Sequence, residues 1–233
     1  MLEHLNLSHI LFLDIETVPQ YASYNIMPQN LKALWDKKSV YQRKNEETAE
    51  EFYAKAGIWA EFGKIICISV GVFKTDGQFK VKSIFDDDEE IVLSNFARLL
   101  NNQPKHLILC AHNGKEFDFP YLCRRLLIHN IRIPAQLNIL QKKPWEINHL
   151  DTLELWKFGD YKHFTSLELL AAIFGIPTPK DDIDGSMVAK TYYEDKNLEK
   201  IRRYCEKDVI TIARLVQRFK GLDILSEQDI IYS

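Results

Sequence analysis

The sequence predicts an α/β fold, a mixed sheet with helices on both faces. Three observations lead there. The apolar run Ile10-Leu11-Phe12-Leu13 reads as a buried strand. Two strand-like stretches, 65–73 and 79–85, are joined by Thr75-Asp76-Gly77, a hairpin turn signal. From residue 106 onward a short apolar run alternates with helix-like segments, and the last and longest helix is expected at 198–219. Strands first, then strand–helix alternation, then helices is the order of a sheet covered on both sides.

Each element has its own local signal. The first strand, 10–15, stops at Thr17-Val18-Pro19. Residues 20–60 differ in character: polar, charged and helical in parts (30–37 and 46–56), with Trp35, Tyr41, Phe52, Tyr53 and Trp59. They are expected to form a helical insertion after the first strand, covering the groove beside the site. After the hairpin a helix runs from about Asp87 to Asn101, with Ile91, Phe96, Leu99 and Leu100 at roughly helical spacing and acidic residues at its start. Residues 106–111 form a further strand, followed by the turn His112-Asn113-Gly114 and a helix over 117–128 that tolerates Pro120 in its first turn. Residues 148–151 extend the sheet. The helix at 166–174 ends at Gly175, ahead of Pro177 and Pro179, and a short helix at 186–193 precedes the long one, which stops at Gly221.

At 233 residues, one domain over 1–233 is the simplest expectation. The composition, 46% hydrophobic and 27% charged, is that of an ordinary globular protein. No apolar run nears the roughly 20 residues that span a bilayer, and no signal-like start is visible, so the cytoplasm is the default compartment. Cys67, Cys110, Cys123 and Cys205 lack C-x-x-C spacing and read as reduced thiols acting as small hydrophobes; the seven histidines have no zinc-ligand spacing. A net charge of −3 argues against a broad basic face that coats nucleic acid. It does not exclude an enzyme that grips a few nucleotides locally, with metal ions supplying positive charge.

Three short acidic motifs carry the chemistry. Asp14 and Glu16 end the first strand, and residues i and i+2 on a strand point the same way. Asp118 follows Asn113 and Phe117 at the start of a helix. Tyr204 and Asp208, four apart, share one face of the last helix. Brought together, four carboxylates and a phenol suit two hard divalent cations and metal-assisted phosphodiester cleavage. Singly each motif has a bland reading: exposed ion pairs for the first, a dipole-stabilised helix start for the second, packing for Tyr204.

In order and spacing the set Asp14-x-Glu16, Asn113-x3-Phe117-Asp118 and Tyr204-x3-Asp208 resembles the DEDD superfamily of 3′-5′ exonucleases, in the branch with Tyr in its third motif. The run from Phe117 to Arg125 looks like the second exonuclease motif of B-family DNA polymerases. The nearest resemblance is to predicted 3′-5′ exonucleases related to that proofreading domain, over about 10–219. It implies an RNase H-like mixed sheet, mostly parallel with one antiparallel strand. It also implies that Asp14, Glu16, Asp118 and Asp208 hold two Mg or Mn ions, that Tyr204 positions the attacking water, and that Thr17, Asn113 and Phe117 meet the substrate. Asn113 also has a purely local role open to it, fixing its own turn. The expected partner is the 3′ end of a single-stranded nucleic acid, with DNA favoured. An exoribonuclease and a catalytically silent nucleic-acid-binding module are the alternatives.

Other features read more simply. The run Asp86 to Glu90 is expected to be a solvated helix start. Arg124-Arg125, Lys142-Lys143 and Arg202-Arg203 are candidates for phosphate contacts. Trp145, Trp156 and Tyr161 are more readily core than stacking platforms.

Overall fold

The first strand runs further than its apolar core, over Ile10–Pro19 (β1), and it is the spine of the sheet. The computed structural model describes residues 2, 4–44, 46–160, 162–177 and 183–233, with the side chain of Pro144 set aside; Tyr161 and Pro179, singled out above, lie outside the described residues. The remaining strands are β2 (Gly63–Phe73), β3 (Phe79–Phe85), β4 (Ile108–Ala111), β5 (Leu150–Asp151) and β6 (Ile230–Tyr232). They form one sheet in the order β5-β4-β1-β2-β3-β6. β4 pairs parallel to β1, β5 to β4 and β6 to β3, while β2 pairs antiparallel to both neighbours, so β2 alone runs against the rest. The last strand was not expected: a three-residue apolar run beyond Gly221 has no strand signal of its own and is defined by pairing with β3.

Alternation along β1 divides the core. Leu11, Leu13 and Ile15 pack with α3 (Glu89–Asn101) and α4 (Asp118–Ile128), whereas Ile10 and Phe12 pack with α8 (Leu198–Phe219) through Val209, Ile212, Ala213 and Val216. A strand covered on both faces needs apolar residues in both registers, which is why the run is continuous rather than alternating. Asp14 and Glu16 continue the register of Ile10 and Phe12, and so they fall on the side of α8. Shorter helices complete the chain: α5 (Thr152–Lys157), α6 (Leu167–Ile173) and α7 (Val188–Tyr193).

The insertion contains α1 (Gln29–Ser39), α2 (Ala49–Phe52) and a 3-10 turn at Tyr53–Ile58. Helix does not begin at Glu46 as expected, because Glu46 has φ 66°; Thr48 and Glu51 form a reciprocal capping box that starts α2 instead. Its aromatic residues make a small core of their own, with Trp35 fully buried among Phe52, Tyr53, Trp59 and Phe62 and its indole donating to the Ala49 carbonyl at 2.7 Å.

Two surface expectations are overturned. Arg125 is 2% exposed and does not face a phosphate; its guanidinium forms a bidentate pair with Glu89 and donates to the Ala60 carbonyl at 2.8 Å. Glu89, in the acidic run, is 5% exposed and also accepts the Ile65 amide at 2.7 Å and bonds His129 at 2.8 Å. The start of α3 lies over β2, so one carboxylate of the run faces inward and Arg125 of α4 neutralises it, while Asp88 caps the helix outside. Arg202 is likewise committed, to Glu199 and Glu206, whereas Arg124, Lys142, Lys143 and Arg203 are exposed. Trp156 packs on Phe174 and donates to Thr165, as a core residue would; Trp145 is 76% exposed beneath Lys143, contrary to the core reading.

Candidate active site

The acidic motifs meet beyond the C-terminal end of β4, along the half of β1 that runs on past it. These strands are parallel, so their C-terminal ends share one rim of the sheet, the usual place for sites in such sheets. Along β1, Asp14 pairs with Ser69 and Glu16 with Cys67; the register then slips, leaving Ile66 of β2 as a bulged residue beside Glu16 and Thr17. Bulges increase local twist and re-aim side chains. From β4 the chain turns through Asn113, with φ 60°, and enters α4 at Asp118. Asn113 takes the left-handed conformation. Gly114 meets a space constraint, since a Cβ there would come within 2.4 Å of the Ala111 Cβ.

Electrostatics show that the four carboxylates act on one another. Burial raises Asp14 well above the usual carboxylate range, and the charges of Asp208 and Asp118 add to the shift. Glu16, 7% exposed, is raised by burial and then by Asp14, Asp208 and Asp118. Asp118, 3% exposed, is pushed up to about 7 by burial; its own amide and that of Ile15 oppose the shift, while Asp151 and Asp208 add to it. Its Oδ1 is buried with no hydrogen-bond partner among the described residues. Ligand atoms of Asp14, Glu16 and Cys205 all lie within 4.8 Å of one another; Asp118 and Asp208 stand outside that tight group. The mutually repelling carboxylates and the orphaned buried oxygen of Asp118 fit hard divalent cations such as Mg or Mn, with the Cys205 thiol at the edge of the set.

Tyr204 lies on the same side of α8. Burial and then the charges of Asp208, Glu16 and Asp14 drive its hydroxyl far above the ordinary tyrosine range, with Asp208 its strongest charged influence. It is therefore a phenol, a hydrogen-bond donor rather than a base. Thr17 lies beside the Tyr121 hydroxyl, and Phe117 packs on the same ring at 5.4 Å, so two of the three expected substrate contacts flank one tyrosine. The Tyr121 hydroxyl donates in turn to the Gly57 carbonyl at 2.8 Å, fastening the insertion to this rim.

Sequence reasoning missed Tyr121 and Cys205. The Cys205 thiol approaches both the backbone carbonyl and Oδ2 of Asp14 at 3.4 Å, and burial pushes its acidity down, so it donates and steadies Asp14. Its only linear signal is its place beside Tyr204.

A pH dependence follows from Asp118. A carboxyl whose pKa rises on folding, here from 3.8 to about 7, stabilises the fold at low pH and loses that contribution as pH climbs through about 7. In chelator, the Tm is expected to fall by roughly 5 °C between pH 5 and pH 8. Asp118→Asn should flatten that slope by calorimetry; an identical slope in the variant would count against the assignment.

The sheet order and the rim of carboxylates define an α/β protein with the fold of a polymerase-associated domain. Over 90% of its length the chain superposes on the family B DNA polymerase from the hyperthermophilic archaeon Pyrobaculum calidifontis, with a TM-score of 0.56 and 17% identity; it spans about a quarter of that protein, 24%. The family model for predicted 3′-5′ exonucleases related to the exonuclease domain of PolB matches residues 58–224. The chain belongs to this family, and it is an enzyme of that class, a predicted 3′-5′ exonuclease. Asp14 and Glu16 precede the matched segment; the parallel pairing of β1 with β4 brings them toward Asp118, and the packing of α8 on β1 brings them toward Asp208.

Proposed function

We propose that the protein hydrolyses single-stranded DNA from its 3′ end with the help of two divalent cations, Mg or Mn, in an RNase H-like fold. The observation that carries this reading is the convergence of Asp14, Glu16, Asp118, Asp208 and Tyr204 from three distant segments onto one rim. Asp14, Glu16, Asp118 and Asp208 would hold the ions; when bound, such ions polarise the phosphoryl group and lower the pKa of water. Tyr204, kept a phenol by burial and by the carboxylates beside it, orients the attacking water. Asn113, Phe117 and Thr17 border the terminal nucleotide, and the insertion covers the groove alongside. Among the described residues no helix is long and apolar enough to cross a membrane.

The direct test is a 5′-labelled oligonucleotide in Mn2+. Stepwise shortening from the 3′ end supports the reading, and internal cuts or none refute it. Matched DNA and RNA strands decide the sugar, since recognition of a 2′-hydroxyl separates the two. Metal binding has its own readout. At about 100 times its Kd, Mn2+ is expected to stabilise the fold by about 2.7 kcal/mol, and an unchanged Tm at saturating Mn2+ would favour a silent binding module.

A further inference from the structure

The turn that delivers Asp118 is not self-supporting. The Glu116 and Phe117 amides close onto the Asn113 carbonyl at 3.3 and 3.0 Å, but the Asn113 and Lys115 amides find no backbone acceptor in the turn, and Asn113 sits at φ 60°. One carboxylate satisfies them. Asp151, at the end of β5 and 3% exposed, accepts the Asn113 amide on Oδ1 at 2.9 Å and the Lys115 amide on Oδ2 at 3.0 Å. The same Oδ1 caps α5, accepting the Leu153 and Glu154 amides at 2.9 and 3.3 Å. The next residues reinforce the attachment: His112 bonds Thr152 at 2.9 Å, and the Lys115 ammonium pairs with Glu154 at 2.7 Å. The first turn of α5 therefore works as a template for residues 112–115, three residues short of Asp118.

We infer that Asp151 is a positioning residue for the reaction: it fixes the 112–115 turn so that Asp118 meets Asp14 and Glu16, without itself touching substrate. The inference rests on the exonuclease reading above. The chemistry requires a carboxylate rather than any cap. Two oxygens must accept donors arriving from two directions, and a charged acceptor makes those bonds shorter and stronger. A site works only when the groups supporting it are themselves locked.

The variant Asp151→Ser separates the two duties. Serine is as good a helix N-cap as aspartate, so α5 keeps its cap, but a single short hydroxyl cannot also reach the amides of Asn113 and Lys115. Asp151→Asn, similar in size with one accepting oxygen, is the companion should the serine variant fold poorly. In whichever variant is folded at the assay temperature, kcat on single-stranded DNA is expected to fall about tenfold or more. KM should stay within about twofold, and Mn2+ affinity by titration calorimetry should weaken about tenfold or more. Wild-type kcat and Mn2+ affinity in a folded variant would overturn the inference, as would an activity loss that merely tracks the unfolded fraction. Wild-type protein that neither binds Mn2+ nor shortens the strand would instead overturn the exonuclease reading, and the two failures are told apart in the same experiment.

Discussion

Asp208→Ala is expected to abolish 3′ shortening, lowering kcat by about 10^3-fold, the equivalent of the several kcal/mol that a metal-held charge contributes to a phosphoryl transition state. Asp208 raises Asp14, Glu16, Asp118 and Tyr204, so one substitution removes a proposed ligand and the charged neighbour of the phenol proposed to orient water. The fold should not suffer in chelator, because a repelling carboxylate has been taken from a buried group. Loss of rate with Tm unchanged or raised is thus the signature. Tyr204→Phe isolates the hydroxyl and should cost less, about 10–100-fold, in the range of positioned proton and hydrogen-bond partners. A rate measured with 5′-labelled strands in both variants checks the pair. Near-wild-type activity for Asp208→Ala would end the two-metal reading.

Glu89→Ala is expected to destabilise the fold by about 3–5 kcal/mol, a Tm loss on the order of 10 °C. The Arg125 guanidinium is 2% exposed and would be left buried without its counter-charge. The Ile65 amide would lose its acceptor, and His129 would lose its partner. The pair ties α3 to α4, and the Arg125 bond to Ala60 ties both to the end of the insertion. Breaking such a pair costs more than replacing it, so Glu89→Ala combined with Arg125→Met should recover much of the loss. Per folded molecule, the double variant should still shorten DNA at close to the wild-type rate, because Arg125 touches no substrate. Thermal melts and low-temperature rates measure the two separately. A fully active, unstable single variant fits; a stable, inactive double variant would restore Arg125 as a phosphate contact.

These two residues also show where linear reading stops. In the sequence, Arg125 belongs to a run that looks like a polymerase motif, and Glu89 belongs to five consecutive acidic residues. Both are read as facing water or phosphate, since a charge is more often solvated than buried. Their pairing links positions 36 apart on two helices, and no local spacing encodes it. Asp151 is similar: it has no motif partner nearby, and its duty appears only once β5 lies beside β4. The three-residue β6 exists only because the open side of β3 offers it a ladder.

By itself the sequence determined the motif carboxylates, the strand that carries Asp14 and Glu16 on one face, and the helix that aligns Tyr204 with Asp208. Those follow from periods of two and 3.6 residues, which act over a few positions. It also marked the hairpin, and with it the antiparallel pairing of β2 with β3. Only the tertiary structure decided which side of the sheet the carboxylates face and which thiol steadies Asp14. It likewise decided which aspartate pins the turn before Asp118, and that Arg125 is a core cation. The physical reason is that burial and charge pairing are set by contacts between distant segments, and a side chain's ionisation and partners depend on those contacts rather than on its neighbours in the chain.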